Sequence, residues 1–215
     1  MIPGVRFPHP DPDLTRLLDY FQHREPGAPL DIPHPDANVQ ADIESRRKHL
    51  REASVLIPIT APTAGTPSQV ILTVRAADLP RHPGQISLPG GTRDAGDPDR
   101  IATALRESEE EIGLPADQVQ VIGELGEILL PSGYRVVPVI GLLQSLPVLR
   151  PCPVEVQEIF MAPLGLLLDP DAYREVDLEY GGQTRKVLEL HHRHYRIWGA
   201  TAVILHHLAR QLRTV

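Results

Sequence analysis

Short apolar runs separated by proline- and glycine-rich stretches predict the strands of a β-sheet. Residues 55–59 and 70–74 are apolar and largely β-branched, which is typical of buried central strands. Weaker runs predict a short strand at 86–88, strands at 119–130 and 135–143, a strand or helix at 154–160, and strands at 173–179 and 184–190. Gly181-Gly182 lies between the last two of these runs and predicts a hairpin turn.

Apolar residues at helical spacing predict helices at 14–21, 41–51, 100–113, 163–168 and 200–213. The helix at 100–113 has the clearest end, because Gly113 is followed by Leu114-Pro115, a normal helix stop. Since strands and helices are mixed without strict alternation, the chain is predicted to form an α/β or α+β sandwich and not a doubly wound parallel sheet.

The distribution of proline and glycine predicts the domain organisation. Many of the 23 prolines fall within the first fifty residues. Residues 1–50 are therefore predicted to form an irregular arm with short helices, packed on or extending one catalytic domain at 51–215. A second stretch, at 78–99, is rich in glycine, proline and aspartate, and long irregular stretches inside a domain are usually functional.

Composition and charge limit the kinds of partner that the chain is expected to bind and the compartment in which it is expected. The formal net charge is −7, so the overall field opposes binding to nucleic-acid backbones or anionic lipid surfaces. An anionic substrate must then be met by local cations or by a metal ion. Cys152 is the only cysteine, the N-terminus lacks the pattern of a targeting signal, and no stretch approaches the roughly 20 apolar residues of a spanning helix. The chain is expected to be soluble and cytoplasmic, as a monomer or a homodimer.

Three glutamates on the helix at 100–113 are the main candidates for chemistry. Glu107, Glu110 and Glu111 stand at i, i+3 and i+4, so they share an arc of about 100° on the helix. A separate stripe is predicted to be buried and consists of Ile101, Leu105, Ser108 and Ile112. Carboxylates at this spacing repel unless a cation lies between them, and their oxygens suit Mg²⁺ or Mn²⁺. The alternative is a solvated acidic helix with weak surface ion pairs.

The segment from Gly91 to Leu114 resembles the signature of the Nudix hydrolase family. That signature is a glycine, five residues, a glutamate, seven residues, Arg-Glu, an apolar residue, any residue, Glu-Glu, any residue, glycine and an apolar residue. The matching positions are Gly91, Asp97, Arg106-Glu107, Glu110-Glu111 and Gly113-Leu114. The chain departs from it in three ways: Asp97 replaces glutamate, eight residues separate Asp97 from Arg106, and Ser108 replaces an aliphatic residue.

This resemblance implies a fold, a reaction and a metal site. The expected fold is a Nudix-type α/β/α sandwich with a mixed β-sheet. The expected activity is Mg²⁺- or Mn²⁺-dependent hydrolysis of a pyrophosphate bond, with Glu107, Glu110 and Glu111 as metal ligands and Arg106 orienting them. Asp97 and Glu155 are possible additional carboxylates.

Residues 71–91 also resemble the second signature of the coenzyme A pyrophosphatase branch, in which a strand ending in Thr-x-Arg leads to a glycine-rich loop. Leu88 stands where phenylalanine is commoner, and Arg81 is displaced by one position. The substrate would be coenzyme A or an acyl-CoA, and the products 3′,5′-ADP and (acyl-)4′-phosphopantetheine. The expected substrate-binding residues are Arg75, Arg81, His82, Gly84, Gln85, Gly90, Gly91 and Arg93. The structural alternative is that Arg75 closes an ion pair and His82 caps a turn.

The sequence also allows four other interpretations. The chain is expected to act on a small molecule, and the alternative substrates are ADP-ribose, NADH or a nucleoside triphosphate. A non-catalytic Nudix-fold binding module is disfavoured, because such modules usually lose the metal-binding glutamates. Histidines could hold zinc, although adjacent residues on a helix point about 100° apart; they are His191, His192, His194, His206 and His207. A cysteine nucleophile is disfavoured because Cys152 lies between two prolines without a recognisable partner.

Overall fold

Two β-sheets and five α-helices form the framework of the computed structural model, which describes residues 9–24, 32–33, 37–180 and 183–213. The strands are β1 (Arg51–Thr60), β2 (Gln69–Arg75), β3 (Ile86–Ser87), β4 (Gly90–Thr92), β5 (Val119–Glu124), β6 (Ile128–Leu130), β7 (Tyr134–Leu143), β8 (Val156–Pro163), β9 (Arg174–Tyr180), β10 (Gln183–His192) and β11 (Tyr195–Trp198). The helices are α1 (Pro12–His23), α2 (Ala37–Ser45), α3 (Arg100–Ile112), α4 (Leu164–Leu167) and α5 (Ala200–Arg213).

The larger sheet is mixed, and its central strands part at one end. Its order is β3-β2-β1-β7-β5, with β4 paired to β1, β6 to β7 and β8 to β2. Strands β1 and β7 run parallel, and the other pairs are antiparallel. β1 meets β2 at Ile59 and Val70, whereas the first half of β1 pairs with β4 and the last part of β2 pairs with β3. Strand β8 pairs along the other edge of β2 over its whole length. The glycine-rich segment of β3 and β4 therefore lies where the two central strands change partners.

Helices cover both faces of this sheet and bury separate apolar clusters. On one face α3 contributes Ala104 and Ile112, which pack with Leu56 and Ile71 of the central strands. On the other face the larger cluster takes in α1, α4, α5 and the smaller sheet, β11-β10-β9. Each fully buried leucine or isoleucine contributes about 1.5–3 kcal/mol. This arrangement confirms the predicted α/β/α sandwich with a mixed sheet. Within the described ranges, no helix is both long and apolar enough to cross a bilayer.

The described part of the N-terminal arm packs against the sheet. Asp11 caps α1 by accepting hydrogen bonds from the backbone of Asp13 and Leu14, and its second oxygen accepts one from the backbone of Ser68, at 2.7 Å. Leu17 is fully buried in the larger cluster. Much of the proline-rich sequence, at 1–8, 25–31 and 34–36, lies outside the described residues. The division at residue 50 stays a prediction.

Several predicted elements differ from the observed ones. The helix predicted at 41–51 is wrong in its bounds, because α2 ends at Ser45 and a short 3-10 turn at Arg47–His49 leads into β1. The strand predicted at 119–130 is two strands, β5 and β6, and the ambiguous segment at 154–160 is strand β8. Strands β4 and β11 were not expected, since β4 begins with two glycines and β11 has four residues. The predicted Gly181-Gly182 turn lies outside the described residues, although the strands that it would join do pair.

Candidate active site

Helix α3 is capped at both ends, and the face that it presents to the core includes the predicted stripe and is broader than predicted. The side chain of Asp99 accepts a hydrogen bond from the backbone of Ala102 at 2.8 Å, and Gly113 ends the helix in the left-handed conformation at φ 65°. Ser108 is fully buried and donates to the carbonyl of Ala104 at 2.7 Å, which satisfies its hydroxyl. Ile101 and Leu105 are partly buried and pack against the same cluster, and the core face extends further to Thr103, Ala104 and Glu111.

The three glutamates of α3 differ sharply in their exposure. The side chain of Glu110 is 60% exposed and that of Glu107 is 15% exposed, whereas Glu111 is 3% exposed as a residue. Glu111 accepts a hydrogen bond from the backbone nitrogen of Gly90 at 3.1 Å. Solvent exposure therefore decreases across the predicted acidic face, from Glu110 in solvent to Glu111 in the protein interior.

Two glycines allow the backbone of β4 to approach these glutamates. A Cβ atom on Gly91 would lie 2.3 Å from Oε2 of Glu107, and one on Gly90 would lie 2.3 Å from the carbonyl oxygen of Ser54. Gly90 also has φ 150°, which side-chain-bearing residues rarely adopt. These two predicted residues thus come together with Glu107 and Glu111. A larger residue at Gly91 would displace the carboxylate of Glu107, and one at Gly90 would clash with the backbone of β1.

A loop after β7 brings Glu155 to the same place. The backbone nitrogens of Arg150 and Cys152 donate to the carbonyl oxygens of Ile112 and Glu111, at 2.9 and 2.8 Å. Glu155 follows in the turn just before β8, and its charge raises the pKa of both Glu107 and Glu111. Cys152 contributes to the site through its backbone.

Positive charge is scarce around these carboxylates. Burial raises the pKa of Glu111 to about 7; the hydrogen bond from Gly90 and the charge of Arg75 oppose this rise, and the charges of Glu155 and Glu107 add to it. Burial also raises the pKa of Glu107, against the attraction of Arg106. Like charges have been brought together in a partly desolvated place, which is unfavourable without a cation.

Arg106 joins the helix to the loop that precedes it. Its guanidinium donates to both oxygens of Asp97, at 3.0 and 2.9 Å, and to the carbonyl of Thr92 at 3.1 Å. It also lies 3.0 Å from the carboxylates of both Glu107 and Glu110. The hydrogen bonds from Arg106 hold the pKa of Asp97 well below its ordinary value. The Arg106 side chain is therefore placed to orient two of the glutamates, as expected.

Asp97 is committed to the loop and is not presented to the other carboxylates. Besides Arg106, it accepts hydrogen bonds from the backbone of Asp94 at 2.9 Å and from the hydroxyl of Thr103 at 3.0 Å. With both oxygens engaged in this way and only 8% of the residue exposed, Asp97 positions Arg106. Of the two possible additional carboxylates, Glu155 is the one whose charge acts on Glu107 and Glu111, whereas Asp97 is bound to Arg106.

The donor set fits a divalent cation of the hard type. Glu107, Glu111 and Glu155 supply carboxylate oxygens alone, which are the ligands of Mg²⁺ and Mn²⁺. Among the described residues, no group of three or more histidine, cysteine, aspartate or glutamate side chains is placed closely enough to hold a metal ion. Glu110 is turned towards Arg106. The agreement with a divalent cation therefore rests on two properties of the residues: their donor atoms are carboxylate oxygens, and little positive charge lies near them.

Arg75 provides a cation with spare hydrogen-bonding capacity. It ends β2, its charge lowers the pKa of Glu111, and its Nε is buried without a hydrogen-bond partner in the described part of the chain. Its backbone closes the loop that follows, because Arg75 donates to the carbonyl of Gln85 and accepts from the nitrogen of Gly84. The expected loop residues Gly84 and Gln85 are thus fixed beside Arg75.

Three other expected substrate-binding residues lie farther from these carboxylates or have other partners. Arg81 is exposed, and His82, at φ 57°, contacts the side chain of Gln85 at 3.0 Å, which matches the turn-capping alternative. Arg93 donates to Glu52 at 2.8 Å and to the carbonyls of Asp97 and Pro98. Glu52 was not singled out from the sequence, although a charged residue near the start of a predicted core strand is a usable signal.

The histidines do not form a common site. His191 lies 3.2 Å from Glu189, His206 packs on the ring of Tyr173 with centroids 5.0 Å apart, and His207 contacts Gln211. They are thus engaged with different neighbours. The part of the chain that the structure describes contains no cluster of the kind that zinc requires.

Comparison with known proteins gives one family match and many relatives. The family model described as NUDIX domain matches residues 50–171. An uncharacterized Nudix hydrolase, NudL, of Photorhabdus laumondii is 41% identical over 163 residues, which are 76% of this chain and 86% of that protein. The NudL of Yersinia pestis is 38% identical over 199 residues, or 93% and 94% of the two chains. A solved structure, the Nudix hydrolase RenU of M. smegmatis, is 25% identical over 54% of this chain and 72% of that one, with a TM-score of 0.46.

Proposed function

The chain belongs to the NUDIX family and is a hydrolase of phosphorus anhydrides, and we propose that it is a Mg²⁺- or Mn²⁺-dependent pyrophosphohydrolase of coenzyme A or acyl-CoA. The products would be 3′,5′-ADP and (acyl-)4′-phosphopantetheine. One observation carries the proposal: the buried carboxylate of Glu111 shares its surroundings with Glu107 and Glu155, and within the described residues its hydrogen-bond donor is a single backbone N–H.

The metal ion would be held by Glu107 and Glu111, with Glu110 and Glu155 at its margin. When bound, it would neutralise phosphoryl oxygens and lower the pKa of a water molecule, which are the needs of pyrophosphate hydrolysis. The arrangement of the protein supports this role, because Gly90 and Gly91 let the backbone lie directly against the two buried glutamates.

The protein's own side chains supply orientation and charge. Arg106 holds Glu107 and Glu110, and is itself held by Asp97. Arg75 has a buried, unpartnered Nε next to Glu111, so a phosphoryl oxygen beside the metal would receive a charge-assisted hydrogen bond from it. Glu155, whose charge acts on both Glu107 and Glu111, is a candidate to accept the proton of the attacking water.

The choice of coenzyme A rests on residues 71–91. Two parts of this segment border the carboxylates: Arg75 at the end of β2, and Gly90-Gly91 in β4. The loop between them folds back on Arg75 through Gly84 and Gln85. The two ends of the segment that resembles the coenzyme A pyrophosphatase signature thus border the proposed metal site, and this supports the choice of substrate. ADP-ribose, NADH and nucleoside triphosphates are the competing substrates.

Product analysis tests the proposal. Coenzyme A incubated with the protein and Mg²⁺ should give 3′,5′-ADP and 4′-phosphopantetheine, and chelation of the metal should stop the reaction. A panel containing ADP-ribose, NADH and ATP should be cleaved more slowly. Preferential cleavage of one of those compounds would show that it, and not coenzyme A, is the substrate, and would still agree with the proposed metal site. Hydrolysis that does not depend on metal would overturn the metal site.

A further inference from the structure

A groove of about 500 Å³ opens between the loop before β3 and the last strand, β11. Its volume lies in the range of pockets that bind small ligands. Its walls come from the end of β2 and the loop into β3 on one side, and from β8 and the turn and strand around β11 on the other. The lining residues are Val74, Pro83, Gly84, Gln85 and Ile86 on one side, and Glu158, His194, Tyr195, Arg196 and Trp198 on the other.

Rigid aromatic rings line the β11 side of the groove. Tyr195 stacks on Phe160 with centroids 3.7 Å apart, and its hydroxyl donates to Glu158 at 2.6 Å. His194 lies 4.0 Å from the ring of Tyr195, and Trp198 is half-buried at the end of the strand. Because Tyr195 is held by stacking and a hydrogen bond, and Trp198 lies beside the Arg196 guanidinium, these rings offer a surface on which a planar group can stack.

A buried carboxylate fixes a cation at the same groove. Glu189 is 3% exposed and accepts hydrogen bonds from Nε of Arg196 at 2.5 Å and Nε of Arg174 at 2.7 Å. The Arg196 guanidinium also lies 5.3 Å from the ring centroid of Trp198, and its side chain remains 42% exposed. Two guanidiniums share one carboxylate, so the cluster keeps positive charge. Arg196 is therefore oriented and still able to bind an anion.

The groove begins where the proposed diphosphate site ends. Val74 lines the groove, and the next residue, Arg75, interacts with Glu111 on the other face of the strand. Adjacent residues of a strand have Cα atoms about 3.8 Å apart and side chains on opposite faces. Gly84 and Gln85 belong to both places, because they bind the backbone of Arg75 and line the groove. A ligand crossing this strand end would touch both.

We infer that this groove is the subsite for the nucleotide half of the substrate. The base would stack against Trp198 and the rings beside it, and the carboxylate of Glu158 would accept a hydrogen bond from an exocyclic amine such as that of adenine. Arg196 would bind a phosphate on the ribose. The inference rests on the proposed function, in which the substrate carries an adenosine bearing a 3′-phosphate.

Trp198 gives a direct readout, because it is the only tryptophan of the chain. Titration of the metal-free protein with 3′,5′-ADP should change its fluorescence in a saturable way, whereas 4′-phosphopantetheine should leave it unchanged. Substituting Arg196→Gln should weaken 3′,5′-ADP binding by about tenfold or more, the scale of a lost charged hydrogen bond. Arg174→Gln is the matched control, because Arg174 is the other arginine bound to Glu189 and does not line the groove. The dissociation constant of this variant for 3′,5′-ADP should stay within about twofold of wild type.

The inference would be overturned by a fluorescence response to 4′-phosphopantetheine in place of 3′,5′-ADP, or by equal weakening in the two arginine variants. Equal weakening would mean that the cluster acts through stability alone, which thermal unfolding of both variants would reveal. Nucleotide binding at Trp198 in a protein that leaves coenzyme A uncleaved would remove the proposed function and keep the subsite. Hydrolysis of coenzyme A by a protein whose Trp198 fluorescence does not respond to 3′,5′-ADP would support the proposed function and overturn the subsite.

Discussion

Glu111 and Glu189 are buried to the same degree and have opposite surroundings. Each is 3% exposed. Glu189 has two arginines and His191 as partners, and their hydrogen bonds outweigh the effect of burial, so the pKa of Glu189 falls below its ordinary value. Glu111 has one backbone N–H, and burial raises its pKa to about 7. Burial alone therefore says little about function, and the difference lies in how much positive charge the fold itself supplies.

The comparison separates a structural carboxylate from a binding one. The fold provides all that Glu189 needs to remain ionised, so nothing has to be added. At Glu111 the fold places several carboxylates near one another without enough positive charge to compensate them. This arrangement lowers stability and is typical of a site that a ligand completes. A divalent cation would make Glu111 resemble Glu189.

The largest expected effect follows removal of the charge at Glu111. Glu111→Gln keeps the shape of the side chain and should lower kcat/KM by about a hundredfold or more, on the usual scale of electrostatic contributions to catalysis. Its thermal stability without metal should be unchanged or higher, because an uncompensated buried charge is lost. Glu109→Gln, on an exposed position of the same helix, is the control and should retain full activity. Near-normal turnover of the Glu111 variant at saturating Mg²⁺ would refute the assignment.

The pH dependence of stability should have opposite signs at the two glutamates. The folded-state pKa of Glu111 lies above its unfolded value, so its contribution is present at low pH and is lost as the pH rises from about 4.5 to about 7. The metal-free wild type should therefore lose about 2 kcal/mol relative to Glu111→Gln between about pH 5 and pH 7. Glu189 has a lowered pKa, so its contribution is lost only as the pH falls below about 4.5.

Chemical denaturation of both proteins at a series of pH values, with a chelator present, measures this difference. Parallel stability profiles for wild type and the Glu111 variant would show that the Glu111 carboxylate is solvated, contrary to the structure.

Replacing Glu189 should give the mirror image of the Glu111 result. Glu189→Gln leaves two arginines facing a neutral amide, and should lower the free energy of unfolding by about 2 kcal/mol, as expected for a broken buried charged hydrogen-bond network. Under conditions where the variant is folded, its KM for hydrolysis should change more than its kcat. A drop in kcat of the size seen for Glu111 would contradict the structural role of Glu189.

The smallest expected effect concerns the close approach of β4. A Cβ atom at Gly91 would meet the carboxylate of Glu107 at 2.3 Å, so Gly91→Ala should displace that carboxylate and lower kcat by about tenfold. Gly96→Ala is the control, because a Cβ there has no neighbour within 4 Å. Comparison of kcat for the two variants isolates the effect of the contact, and equal activities would show that Glu107 need not stay where it lies.

Local sequence patterns predicted the parts of the fold that local forces determine. The helix α3, its glycine stop and the spacing of its glutamates were predicted within one residue, because periodicity and capping are set by near neighbours. The family and the mixed-sheet sandwich were also predicted and are confirmed. The substrate and the division of the chain at residue 50 stay predictions.

The features that were missed depend on residues distant in sequence. The burial of Glu111 results from β4 and the loop around Cys152, and neither leaves a periodic signal. Arg93 was expected at the phosphates, but its partner is Glu52, 41 residues away. The groove at Trp198 requires β11 to meet the loop before β3, and the sequence did not predict strand β11.

Direct measurement of metal binding tests the central claim most sharply. Mn²⁺ titration followed by electron paramagnetic resonance should show binding by the wild type near pH 7.5, and loss of that binding in Glu107→Gln and Glu111→Gln but not in Glu109→Gln. Unchanged Mn²⁺ affinity in both the Glu107 and the Glu111 variants would contradict the claim that these two carboxylates hold the catalytic metal.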